Sequence, residues 1–77
     1  MTTRAHVLIS TEVGKAAEVA EELRRLPGVQ AADVVTGTYD LVLTIEGDDP
    51  SDVGRLVLNR IHGLSGLKST TTLIAVS

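Results

Sequence analysis

The sequence predicts a single α+β domain in which two helices cover one face of a four-stranded antiparallel sheet, in the order β-α-β-β-α-β. Three observations predict it. Two stretches carry apolar residues at helical spacing and lie among four stretches of strand-like, β-branched character. The two halves echo each other: offset by 38 positions, "LRRLPGV" (23–29) aligns with "IHGLSGL" (61–67), apolar, Leu, turn residue and Gly falling at matching places. Finally, 77 residues suffice for one core and not for two.

The first strand is "AHVLIST" (5–11), an aliphatic run that ends in a polar cluster. From Gly14 the period changes. Ala16, Val19, Ala20, Leu23 and Leu26 recur at helical spacing, and Lys15, Glu18, Glu21, Glu22, Arg24 and Arg25 fill the other face. Glu21 and Arg25 stand at i,i+4 in the favourable order. "LPG" (26–28) stops this helix, because Pro27 cannot continue it and Gly28 supplies the reversal. "VQAADVVTG" (29–37) predicts the second strand, with a tight connection at Thr36–Thr38. In the third strand Tyr39, Leu41, Leu43 and Ile45 take one face, and Asp40, Val42, Thr44 and Glu46 the other.

"GDDP" breaks that strand, with Asp49 as N-cap and Pro50 at the first helical position. The second helix shows Val53, Leu56, Val57, Ile61 and Leu64 as its stripe. Gly54 inside it costs about 1 kcal/mol relative to Ala, which predicts close packing there. "GLSGL" ends the helix, and the threonine-rich "LKSTTTLIAV" (67–76) is the last strand. The 38-residue offset also pairs Thr11 with Asp49 as helix starts. Two βαβ halves with matched punctuation predict a ferredoxin-like arrangement whose right-handed crossovers place both helices on one face.

The other face is then uncovered. Leu8, Val34, Val42 and either Leu73 or Ile74 are expected on it, a larger apolar patch than a monomer usually exposes. A dimer packed sheet against sheet follows as an expectation. Composition narrows the function. There is no Cys, hence no disulfide, thiolate metal site or cysteine nucleophile. The net charge of −3 is spread in mixed sign, a poor footprint for nucleic acid, and with one Tyr, no Phe and no Trp no stacking platform exists for bases. No apolar run reaches bilayer length and "MTTRAHVLIS" lacks a signal-peptide core, so a soluble cytoplasmic protein without membrane contact is expected.

Candidate chemistry is sparse. His6 lies mid-strand and His62 near a helix end, neither with a second ligand at metal-like spacing. His6 on the open sheet face is the one feature compatible with a small dimeric α/β-barrel enzyme of oxygenase or isomerase type. Gly14-Lys15 is a single glycine at a helix start, the place where a regulatory module of ACT type would hold its ligand. Neither assembles a nucleophile with a base, and no cofactor or metal motif is present, so no enzyme is expected. "TGTYD" and "STTT" differ in character. Together they offer hydroxyls, glycine N–H groups, a phenol and a carboxylate, the set a zwitterion needs.

With "VTGTYDLVLTIEGDD", a helix, and "GLKSTTTLIAV" in this order, the chain resembles the C-terminal effector domain of the Lrp/AsnC (leucine-responsive, feast/famine) transcriptional regulators. The residues that carry the resemblance are Gly37, Tyr39 and Asp40, then Gly66, Leu67, Ser69, Thr70 and Thr72, with "LPGV" at 26–29. It covers the whole chain as one effector-binding domain, 1–77, in a stand-alone form without the family's helix-turn-helix domain. The resemblance implies a homodimer formed through the sheets, assembly into rings of eight or ten subunits, and partnership with full-length regulators of the family. It further implies an amino-acid effector bound between dimers by Gly37, Thr38, Tyr39 and Asp40 from the hairpin and by Thr70, Thr71 and Thr72 from the last strand, Thr71 standing where some relatives carry a longer amide.

Overall fold

The computed structural model describes residues 2–76. Its elements are β1 (Thr3–Thr11), α1 (Ala16–Arg24), β2 (Val29–Val34), β3 (Leu41–Gly47), α2 (Pro50–Leu56) continued by a π-helical turn (Val57–Ile61), and β4 (Leu67–Ile74). All neighbouring strands are antiparallel, in the order β2-β3-β1-β4, so the expected α+β ferredoxin-like architecture is the one observed.

Alternation decides what each strand buries. Ala5, Val7 and Ile9 of β1 pair with Ile45, Leu43 and Leu41 of β3, and these six point under the helices, fully buried. Val19, Ala20 and Leu23 of α1 and Val53, Val57 and Ile61 of the second helical segment close over them. The core is wholly aliphatic, as one Tyr and no Phe or Trp require. Asp49 caps α2 as expected, its Oδ1 accepting from the Asp52 N–H at 3.0 Å, with Pro50 next.

The internal echo has a structural counterpart. Gly28 and Gly66 sit at φ 93° and 92°, a region open to glycine at little cost, and each lets its loop press against the other half. A Cβ on Gly28 would lie 3.2 Å from the Glu46 carbonyl and 3.4 Å from Leu56; one on Gly66 would lie 3.3 Å from Val19. The Gly28 carbonyl accepts from the Glu46 N–H at 2.9 Å, and the Gly66 carbonyl from the Glu12 N–H at 2.8 Å. Two residues further on, each half carries a β-bulge. Val29 and Ala31 pair with Ile45 and Thr44, leaving Gln30 as the extra residue; Leu67 and Ser69 pair with Thr11 and Ser10, leaving Lys68.

Several local expectations are corrected. Glu21 bonds Arg24 rather than Arg25, at i,i+3 and 3.2 Å, the Arg24 guanidinium reaching both this carboxylate and the Ala32 carbonyl. Thr11 does not start a helix: it closes β1, and Lys15 caps α1 without a side-chain bond. The second strand ends at Val34, the last at Ile74, and Tyr39 precedes β3 instead of joining it. Gly54 packs against nothing, since a Cβ there would meet no atom within 4 Å. Val34 does not lie on the open face. Its partner Leu41 points under the helices, and Val34, 53% exposed, lies on that same side at the sheet edge. Of the last pair, Leu73 is the outward residue, opposite His6, while Ile74 aligns with buried Ala5. The open face therefore carries Leu8, Val42 and Leu73 with His6, Thr44 and Thr71.

Candidate functional site

Residues 35–40 link β2 to β3 at the end of the sheet where β1 finishes and β4 begins. The Val35 N–H donates to the Asp40 carbonyl at 2.9 Å and closes the connection, with Gly37 and Thr38 exposed at its tip and Tyr39 half-buried behind them. Asp40 is anchored to β1. Its N–H donates to the Ile9 carbonyl at 2.9 Å, and its Oδ2 accepts from the Thr11 N–H at 2.9 Å and from the Thr11 hydroxyl at 3.4 Å. The carboxylate expected to meet a ligand's ammonium thus commits one oxygen to holding the hairpin against a buried residue.

The threonine run is divided by strand alternation. Thr70 and Thr72 pair with Ile9 and Val7 and take the helix-covered side, whereas Thr71 pairs with Leu8 and takes the open face. β1 also stands between the hairpin and β4, so the two expected groups share one end of the sheet without being adjacent strands. Thr70 is tied to the second helical segment, its Oγ1 lying 2.9 Å from His62 Nε2.

That bond borders an open cleft of about 480 Å³ lined by His62, Leu67, Lys68, Ser69 and Thr70. Of these only Thr70 was among the expected site residues. Ser69 belongs to the "STTT" stretch, while His62 and Lys68 stand outside the expected groups, although the 38-residue offset holds a signal, since it pairs His62 with Arg24 and Thr70 with Ala32. The first-half pair is also in contact: Arg24 donates through Nε and a terminal guanidinium nitrogen to the Ala32 carbonyl at 3.2 and 2.7 Å. Both halves place a hydrogen-bonding side chain of the helix end on the same strand position.

His6 lies half-buried on the open face with Nδ1 3.3 Å from the Thr44 hydroxyl. Among the described residues no group of His, Asp and Glu is arranged to hold a metal ion, and no helix is long and apolar enough to cross a membrane.

Comparison with known proteins places this geometry. The sequence profile of the family described as the Lrp/AsnC ligand binding domain matches residues 4–77. An HTH-type transcriptional regulator of Pyrococcus abyssi is 33% identical over 73 residues, 95% of this chain and 46% of that protein. The chain spans less than half the length of such curated relatives. Among solved structures, hypothetical protein PHS023 from Pyrococcus horikoshii is 36% identical with a TM-score of 0.90, covering 100% of this chain and 92% of that one. FFRP-DM1 is 37% identical with a TM-score of 0.90, over 99% and 100%. A transcriptional regulator of Neisseria meningitidis, solved as its L-Met complex, shares the fold at 21% identity and a TM-score of 0.85, over 97% and 50%.

Proposed function

The chain belongs to the Lrp/AsnC ligand-binding domain family, and on that premise we propose that it is a sensing and assembly module for a small molecule, an amino acid in class, serving transcription regulation without catalysis. The observation that carries the reading is the gathering of polar groups at one end of the sheet. The hairpin tip (Gly37, Thr38, Tyr39, Asp40) meets the last residues of β1, and Thr70, Thr71 and Thr72 run beside Ile9, Leu8 and Val7 of the same strand, Thr71 toward the open face and the other two toward the helices; their hydroxyls and N–H groups suit a zwitterion's carboxylate. The L-Met complex of a fold neighbour supports an amino acid as the ligand class.

The whole chain acts as the binding unit in this proposal, and the site is completed by a second copy. Leu8 faces Val42 across one strand pair and Thr71 across the other, and Leu73 is 50% exposed beside them, so the open sheet face supplies an apolar surface for a twin. Dimers then associate around the hairpin tips, into rings of eight or ten, or with full-length regulators that carry a DNA-binding domain. The ligand shifts the balance between assemblies only by its difference in affinity for them.

Calorimetry of the 77-residue chain against the twenty amino acids, run beside light scattering, is the test. Heat with at least one of them and a mass above the monomer are expected. Silence from all twenty sinks amino-acid sensing, and a strict monomer sinks the assembly.

A further inference from the structure

We propose that the cleft between the second helical segment and β4 selects an acidic ligand, an amino acid or its 2-oxo analogue whose second carboxylate is held by Lys68 and Thr70 with His62 behind them. This rests on the proposed function, which makes the head of β4 part of the ligand site, and adds which chemistry the site accepts.

The internal repeat provides a control. In the first half Arg24 reaches back over β2 and its guanidinium caps the Ala32 carbonyl, filling the place beside the strand. In the second half the shorter His62 occupies the equivalent position, a hydroxyl replaces the methyl at the equivalent strand position, and the space beside them is the cleft. The helix differs there too. A π-helical turn runs through Val57–Ile61, closed by the His62 N–H to the Val57 carbonyl at 3.0 Å, and α1 has no such turn. Within that turn Leu58 is 66% exposed, where the matching Ala20 is buried. Single π turns within helices recur at functional sites. The bulge at Lys68, by contrast, has its twin at Gln30 and belongs to the repeat. What the second half adds at that shared position is the charge.

The cleft's polar side chains can all donate, and none is an anion. Lys68 is exposed and makes no ion pair among the described residues. With the hydrogen on His62 Nε2, the imidazole donates to Thr70 Oγ1 and leaves the Thr70 O–H to donate outward. Glu12, whose N–H meets the Gly66 carbonyl, is exposed and does not line the cleft. An ammonium would meet the like charge of Lys68 with only hydroxyl oxygens to accept from it, whereas a carboxylate finds an ammonium and two hydroxyls that can donate. The volume, about 480 Å³, suits a molecule of amino-acid size.

The test is calorimetry of the 77-residue chain with L-aspartate, L-glutamate, 2-oxoglutarate, L-asparagine, L-glutamine, L-leucine and inorganic phosphate, repeated on Lys68→Gln and Thr70→Val. The expected result is an acidic ligand bound about twofold to fivefold tighter than its amide, the range an exposed ion pair supports. Lys68→Gln should erase that preference while far-UV dichroism stays unchanged, since the side chain is exposed, and Thr70→Val should reduce it. Tighter binding of an amide or of leucine overturns this inference and leaves the proposed function standing. So does phosphate binding as tightly as the acids, or a preference that survives Lys68→Gln. Silence from 2-oxoglutarate and from all twenty amino acids overturns both.

Discussion

Replacing Asp40 with alanine removes the acceptor that holds the β2–β3 connection against the end of β1. The loss can be worked from the contacts. One hydrogen bond, from the Thr11 N–H at 2.9 Å, is charge-assisted and of good length; the second, from the Thr11 hydroxyl at 3.4 Å, is at the limit of a hydrogen bond and contributes little. A bond to a charged group contributes about 1.5–3 kcal/mol, and the half-buried setting of Asp40 argues for the lower part of that range, about 2 kcal/mol. Thr11 is 7% exposed, so water replaces the lost acceptor poorly. For a domain of this size about 2 kcal/mol corresponds to a fall in Tm of about 8–16 °C. Asp40→Asn keeps a carbonyl acceptor and loses the charge, so about 1 kcal/mol is expected. Thr11→Val, which loses only the long hydroxyl contact, should stay within about 0.5 kcal/mol. With no Trp and a single Tyr, far-UV circular dichroism during thermal and urea unfolding is the assay, at one fixed protomer concentration so that assembly does not move the midpoint. The order Ala, then Asn, then Val is the prediction. An Asp40→Ala protein as stable as the parent, or a Thr11→Val protein as damaged as Asp40→Ala, refutes the latch.

The same assay checks four further substitutions, and light scattering a fifth. Gly54→Ala should stabilise by about 1 kcal/mol, because the added Cβ meets nothing and helix propensity improves. Gly28→Ala should cost more than the roughly 1–2 kcal/mol of its positive φ, since its Cβ would press on the rigid Glu46 carbonyl; Gly66→Ala, which meets a Val19 methyl instead, should cost less than Gly28→Ala. Ile61→Ala should cost about 2–5 kcal/mol, a fully buried side chain deleted from an aliphatic core. Leu8→Asp lies on the open face, so it should leave the dichroism spectrum intact and reduce the mass seen by light scattering to that of the monomer; an unchanged mass refutes the sheet-to-sheet dimer.

Much of the fold is legible in the residues because its signals are local. The shift from alternation to helical spacing at Gly14, the stop at "LPG", the cap at Asp49-Pro50 and the matched glycines at 28 and 66 each depend on a few neighbouring residues, and each is found where expected. The candidate site draws on a signal of the same kind, a clustering of hydroxyls and glycines at "TGTYD" and "STTT". The family resemblance rests on the same short stretches.

What alternation cannot reveal is its own phase after an interruption. Counted straight from Val29, Val34 belongs to the open face; the bulge at Gln30 inserts one residue and turns it to the helix side. Contacts between residues far apart in the chain are equally hidden. Asp40 and Thr11 are 29 positions apart, and only the register of β1 against β3 brings the carboxylate to that N–H instead of leaving it wholly to a ligand. The division of Thr70, Thr71 and Thr72 between two faces needs the pairing of β4 with β1, and the cleft beside them needs His62, at the end of the second helical segment, to meet Thr70. Local periodicity determined the elements and their order. Register and the packing of one half against the other, set by bulges and by long-range hydrogen bonds that no short window contains, decided which side chains meet.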